Sequence, residues 1–162
     1  MKIYINYFKY VFKHKWYVML ECFKEGLIWR GLMHDLDKFM PSSFFPYARQ
    51  FKGNISTGRD KTGYYSPVKT GNHEFILAWF KHQKINKHHW QYWIIPQSDN
   101  TCYPIDIPPI HIIEMLCDWK GAAKAQKTNR NLSEWYMANK DNMIFTDRTR
   151  KTIERELKEE FE

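Results

Sequence analysis

Apolar residues recur at spacings of three and four along most of this chain, and this periodicity constrains the fold more than any other feature. Such spacing places apolar side chains on one face of a helix. No segment shows the strict alternation of a half-buried strand, and 162 residues suit one domain with a core. We therefore expect an all-α helical bundle in which residues 1–162 form a single domain. The predicted helices cover residues 3–26, 27–39, a short segment from Pro41, 73–93, 110–126, 132–140, and a last helix capped by Thr146 or Asp147, with Ile153, Leu157 and Phe161 facing inward.

Two segments interrupt the helical pattern. Residues 52–72 contain four of the seven glycines and little apolar periodicity, which indicates a loop able to cover a site. Arg59, Lys61 and Lys69 in this loop either close over an anionic substrate or remain solvated. Residues 94–109 contain four prolines and are expected to be a connection.

The charge balance favours an anionic partner. The formal net charge is +7, but the basic residues are scattered, so a small phosphate-bearing molecule such as a nucleotide is favoured over nucleic acid. The three cysteines are widely spaced, which is typical of a cytoplasmic protein, and the oligomeric state stays open. Lysines interrupt the apolar N-terminal stretch, so we expect no contact with a membrane.

Several groups able to bind a metal fall on predicted apolar helix faces. Burying them without partners is costly, and imidazole and carboxylate are common ligands of divalent ions. The set comprises His14, His34 with the adjacent Asp35, His82, His89 and Asp118.

The spacing of the later histidines leaves two alternatives. On a continuous helix His82 and His89 lie two turns, or roughly 10 Å, apart and would serve two different ions. Alternatively, Asn86 breaks the helix and brings His88 or His89 inward. Adjacent helical residues point in different directions, so we expect only one of this pair to face inward. Asp37 is expected to be a solvated charge at a helix end.

The order of these residues resembles the HD-domain metal-dependent phosphohydrolase superfamily, whose members are helical bundles. More narrowly, "HDLDKF", "PYARQF", "AWFKHQKINKHHWQYW" and "EMLCDW" resemble DUF5662, a family of uncharacterised proteins of bacteria and phages. The superfamily resemblance implies one or two divalent ions of Mn, Fe, Co, Ni, Mg or Zn. It implies His14, His34, Asp35 and Asp118 as core ligands, His82 and His89 as further ligands or phosphate contacts, Lys38 as a phosphate contact and Glu114 as an acid or base.

Two functions follow from these expectations. The first is a metal-dependent phosphohydrolase that acts on a nucleotide or another phosphate ester through a metal-activated water. The second is a non-catalytic protein in which the same residues form a structural metal site or a buried polar network, and which binds a polyanion or a host protein. Two residue roles stay open in the same way, since Glu114 is either a catalyst or an ion-pair partner, and the rings of "HHWQYW" either pack in the core or stack on a base.

Overall fold

The computed structural model describes residues 1–53, 58–128 and 131–159, and most of these residues are helical. The prediction of an all-α fold class is confirmed. The α-helices in the described ranges are α1 (Lys2–Lys24), α2 (Ile28–Met33), α3 (Pro41–Lys52), α4 (His73–Ile85), α5 (Pro109–Gln126), α6 (Leu132–Asn139) and α7 (Asp147–Glu159).

Two central helices, α1 and α5, cross at a very close approach. An ideal Cβ on Gly121 of α5 would lie 2.4 Å from Cγ2 of Val18 on α1, so only a residue without a side chain fits there. Val18, Cys22 and Cys117 fill the interface beside this crossing. The crossing places the middle of α1 next to the middle of α5, and the candidate site lies there.

Apolar clusters flank the central pair on both sides. On one side Tyr7 and Val11 of α1 pack with Tyr47 of α3 and Phe75 of α4. On the other side α5 packs against α6 and α7, where Ile153 and Leu157 are buried as predicted. Phe161, predicted to join them, lies outside the described residues. Trp90 and Trp93 pack against this second cluster, which favours the core-packing role for these two rings.

The connection between α4 and α5 contains a feature that the sequence did not predict. Strand β1 (Ile94–Pro96) pairs antiparallel with β2 (Cys102–Pro104), with Ile94 opposite Pro104. The expectation that no strand forms is therefore wrong for this short hairpin. Three-residue strands carry too little alternation to be recognised from sequence, and the prolines at their ends favoured an irregular connection.

In the described ranges, no helix combines the length and the apolar character needed to cross a lipid bilayer.

Candidate metal centre

The His34-Asp35 pair sits at a break in the chain direction. α2 ends at Met33, His34 is extended with ψ 128°, and Asp35 is left-handed with φ 54°, before a 3₁₀ turn over Leu36–Phe39. The predicted continuous helix over 27–39 is therefore wrong. Aspartate tolerates the left-handed region better than most residues. The reversal directs both side chains inward, where they are 2% and 1% exposed.

A first cluster of four groups joins three parts of the chain. Nε2 of His14 on α1 lies 3.1 Å from Oδ1 of Asp118 on α5 and 3.5 Å from Oδ2 of Asp35. Nε2 of His34 lies 3.4 Å from the same Asp118 oxygen and 3.5 Å from the same Asp35 oxygen. Ligands about 2.1 Å from one tetrahedral ion lie roughly 3.4 Å apart, so these spacings suit a metal site.

Three of the four facing atoms of this cluster lack other partners, and the fourth, Oδ2 of Asp35, accepts a hydrogen bond from Lys38. Nε2 of His14, Nε2 of His34 and Oδ1 of Asp118 are buried and make no hydrogen bond, although they lie close together. Buried polar atoms are normally paired, and each exception calls for an explanation such as an ion. The residues therefore fit a metal ion by chemistry, spacing and unmet coordination capacity.

The second oxygen of Asp35 faces a further cluster. Its Oδ1 lies 3.5 Å from Nε2 of His82 and 3.3 Å from Nε2 of His88, and Nε2 of His89 lies 2.7 Å from that of His82. One ligand atom from each of these four residues falls within 4.8 Å of every other. Three groups in the described residues could hold a metal: these two share the carboxylate of Asp35, and the third joins His34 and His88 through Glu114.

The break that brings these histidines together follows α4. The helix ends at Ile85, and Asn86 has extended dihedrals while its side chain donates to the His82 carbonyl oxygen at 2.9 Å. The predicted helix over 73–93 is therefore wrong after residue 85, and the alternative in which Asn86 ends it is correct. Outside a helix, consecutive residues are not held about 100° apart around an axis, so the side chains of His88 and His89 can point the same way. Both face the cluster, so the expectation of one inward histidine is also wrong.

Carboxylates contact the Nδ1 atoms of three of these histidines, on the side of each ring away from the Nε2 atom that faces a cluster. Oδ2 of Asp37 lies 2.7 Å from Nδ1 of His82, so Asp37 is not the solvated charge that was expected. Oε1 of Glu114 lies 3.3 Å from Nδ1 of His34 and 3.5 Å from Nδ1 of His88. Such partners orient metal-binding imidazoles and select their tautomer.

Glu114 itself is held by a cation. Nη1 of Arg30 donates to its Oε2 at 2.8 Å, and burial, which alone would raise the pKa of the carboxyl, is outweighed by hydrogen bonds from His34 and His88 that hold it well below its usual range. Glu114 therefore contacts the Nδ1 atoms, behind the cluster atoms. This position suits a residue that orients the histidines better than the acid or base that the superfamily resemblance implied.

Charges within the site favour a bound cation. Burial alone would lower the pKa of His34, but Asp35 and hydrogen bonds to Asp118 and Glu114 raise it to about 10. Burial, with a smaller contribution from His88, holds the pKa of His89 well below its ordinary value, so that imidazole is neutral. A cluster that raises the proton affinity of one imidazole so far also attracts a divalent ion, which needs deprotonated ligands.

A family model for proteins of unknown function, DUF5662, matches residues 4–159 of the chain. The chain belongs to the DUF5662 family. No curated protein and no solved structure matches it. The sequence resemblance to DUF5662 is confirmed by this match, whereas the resemblance to the HD-domain superfamily stays a prediction.

A cavity of about 290 Å³ in this DUF5662 protein opens beside both clusters. Its lining includes His14, His89 and Asp118 from the clusters and the cations Lys38, Lys52 and Arg59. Of the loop cations considered earlier, Arg59 lines the cavity, while Lys61 and Lys69 are exposed and are not among its described lining. A cavity with three cations in its lining next to a candidate metal centre suits an anionic ligand.

Lys38 lies between the cavity and the clusters. Its Nζ donates to Oδ2 of Asp35. Burial is the largest single effect and opposes the charged form, but the combined attraction of Asp35, Asp118 and two neighbouring tyrosines outweighs it and holds the pKa of the ammonium well above its usual range. Lys38 is therefore a partly buried cation on the cavity wall.

Proposed function

We propose that this DUF5662 protein is a metal-dependent phosphohydrolase that acts on a nucleotide or another phosphate ester. One observation carries the proposal: the two oxygens of Asp35 face two separate clusters of buried histidines at distances of 3.3 to 3.5 Å. A shared carboxylate between two ligand sets is the arrangement that a pair of divalent ions needs. The order of the residues, which resembles that of HD-domain phosphohydrolases, supports the same reaction class.

Each cluster offers ligands for one ion. His14, His34, Asp35 and Asp118 would hold the first, and Asp35, His82, His88 and His89 the second. A divalent ion bound there supplies Lewis acidity, which polarises a phosphoryl oxygen and makes water a better nucleophile at neutral pH. Asp37 and Glu114 keep the imidazole rings oriented from behind.

The cavity wall supplies the groups that bind a phosphate. Positive charge comes from three segments of the chain: the 3₁₀ turn contributes Lys38, α3 contributes Lys52 and the following loop contributes Arg59. Tyr47 and Trp79 on the same wall carry a buried hydroxyl and a buried indole N–H without a hydrogen-bond partner. These groups would orient the ester and exclude bulk water, which strengthens electrostatic contacts.

The test combines metal analysis with a hydrolysis panel. Protein purified without chelator should contain divalent metal and should hydrolyse at least one phosphomonoester or phosphodiester when Mn, Mg, Co, Ni, Fe or Zn is supplied. His34→Ala should lose both metal and turnover, while the matched control His73→Ala, at an exposed position on α4, should retain both. Metal-free wild-type protein that gains no turnover with any of these ions would overturn the proposal.

The ion pair between Lys38 and Asp35 supports a second candidate, a non-catalytic protein with a buried polar network. In that case the lysine already neutralises the shared carboxylate, and the basic surface binds a polyanion or an acidic host protein. This candidate predicts no turnover with any added metal. It also predicts saturable binding to a polyanion that weakens steeply as salt rises.

A further inference from the structure

A second cavity adjoins the one beside the metal centre. It has a volume of about 310 Å³, against about 290 Å³ for the first, and the two share Arg59, Ala122 and Gln126 in their linings. Since three residues line both spaces, the two cavities are neighbours, and we refer to them as the first and second compartments. A ligand that spans both would cross from one to the other beside Arg59, Ala122 and Gln126.

The second compartment is aromatic. Trp119 of α5 and Trp135 of α6 line it, with ring centroids 5.2 Å apart and planes at 64°, together with Leu132. Among its described lining residues, Arg59 carries the charge, and Gln126 and Thr128 add neutral polar groups. The surface is thus largely apolar and offers indole faces, with hydrogen-bonding groups beside them.

Helix α5 forms the floor common to both compartments. Asp118 lies in the first, and Gln126 follows eight residues later, roughly 12 Å along the axis. Between them Ala122 and Ala123 present small side chains, which keep the floor open. The stretch of α5 that lines the two compartments is therefore on the scale of a nucleotide, rather than of an isolated phosphate.

We propose that the second compartment binds the base of a nucleotide whose phosphate lies in the first. This inference rests on the proposed phosphohydrolase for its reaction, and it adds the substrate class and the residues that select it. Indoles stack on the flat face of a heteroaromatic ring, and Arg59 and Gln126 reach ring nitrogen and oxygen atoms at the edge. The absence of a carboxylate among the described lining residues of this compartment also suits a ligand that carries negative charge nearby.

The experiment compares two substrates that differ only in the base. Adenosine 5′-monophosphate and ribose 5-phosphate share the phosphate ester and the sugar. Stacking contributes about 1–3 kcal/mol per base, which corresponds to roughly 5- to 150-fold in affinity. The metal-loaded wild-type protein should therefore show a kcat/KM for the nucleotide at least about fivefold above that for ribose 5-phosphate.

Two variants test the compartment itself. Trp135→Ala removes one indole, and Ala123→Leu fills the space from a helical position that accepts leucine well. Each should bring the ratio of the two kcat/KM values close to one. Trp29→Ala, at a side chain that is 73% exposed and outside both cavities, is the control and should keep the wild-type ratio.

Calorimetric binding of the same two compounds separates this inference from the proposed reaction. If neither compound is hydrolysed but the nucleotide binds tighter and Ala123→Leu abolishes the difference, the base site stands and the phosphohydrolase fails. If both are hydrolysed with equal kcat/KM and bind equally, the phosphohydrolase stands and the base site is overturned. An equal loss of affinity for both compounds in Ala123→Leu would also overturn the base site.

Discussion

Oδ2 of Asp37 lies 2.7 Å from Nδ1 of His82, on the side of the ring opposite to the Nε2 that faces Asp35. A carboxylate in this position accepts a hydrogen bond from Nδ1–H, so the lone pair of the neutral ring is on Nε2. Asn86 donates to the other Asp37 oxygen at 3.0 Å, so the carboxylate is itself held in place. The residue that ends α4 thus also supports the orientation of His82.

Asp37→Ala should weaken metal binding at the second cluster by roughly 10- to 100-fold, because His82 loses the group that orients its ring. Competition with a chelator of known affinity measures this change. Asp141→Ala, at an exposed acidic residue in the turn after α6, is the matched control and should bind metal as the wild type does. Unchanged metal affinity in Asp37→Ala would show that the hydrogen bond has no role in binding.

Asp35→Asn and Asp118→Asn should differ in metal stoichiometry. Asp35 faces both clusters, so Asp35→Asn should remove both ions. Asp118 faces only the first cluster, so Asp118→Asn should remove one ion and leave the other. Elemental analysis of the purified variants gives the count directly, and Asp99→Asn at an exposed loop position serves as the control. A full complement of metal in Asp35→Asn would contradict the shared-carboxylate arrangement.

Gly121→Ala should destabilise the protein by about 2 kcal/mol or more, since the new methyl group would overlap Val18 and force α1 away from α5. The same displacement separates His14 from Asp118, so metal affinity should fall as well. Denaturant unfolding and chelator competition measure the two effects. Ile110→Ala, at an exposed position in the first turn of α5, is the helical control for metal affinity and should leave it unchanged.

Glu21 provides a pH-dependent link between the same two helices. Burial would raise the pKa of its carboxyl, but hydrogen bonds from Lys124 and Lys24 outweigh burial and lower the pKa below its ordinary value. A depressed folded-state pKa stabilises the fold above the unfolded value of about 4.3, and this contribution disappears as the pH falls through the folded value.

Glu21→Gln should therefore lower the free energy of unfolding by about 0.5–1 kcal/mol at pH 7, a modest effect because both lysines are about half exposed or more. Below about pH 4 the difference between variant and wild type should shrink as the wild-type carboxylate is protonated. Denaturant unfolding at several pH values measures it, with Glu25→Gln as the control. A difference that stays constant from pH 7 to pH 3 would contradict the ion-pair explanation.

The sequence was informative where the helices are regular. His14 and Asp118 lie on the buried faces of α1 and α5, where the 3.6-residue period gives the side-chain direction. It was misleading at His34 and at His88 and His89, because the direction there depends on backbone dihedrals that periodicity does not record. The role of Asp37 was missed for a related reason, since its partner His82 is 45 residues away.

The left-handed backbone at Asp35 also limits which residues position 35 accepts. Asparagine tolerates φ 54° but supplies an amide in place of the second negative oxygen, and glutamate keeps the charge but is longer and less suited to this conformation. Glycine relieves the backbone and offers no ligand. Position 35 therefore has two independent requirements: the side chain must tolerate the left-handed backbone, and it must supply two negative oxygen ligands. Aspartate meets both. When position 35 is randomised and the variants are screened for bound metal, the metal-binding variants should accordingly carry aspartate almost exclusively.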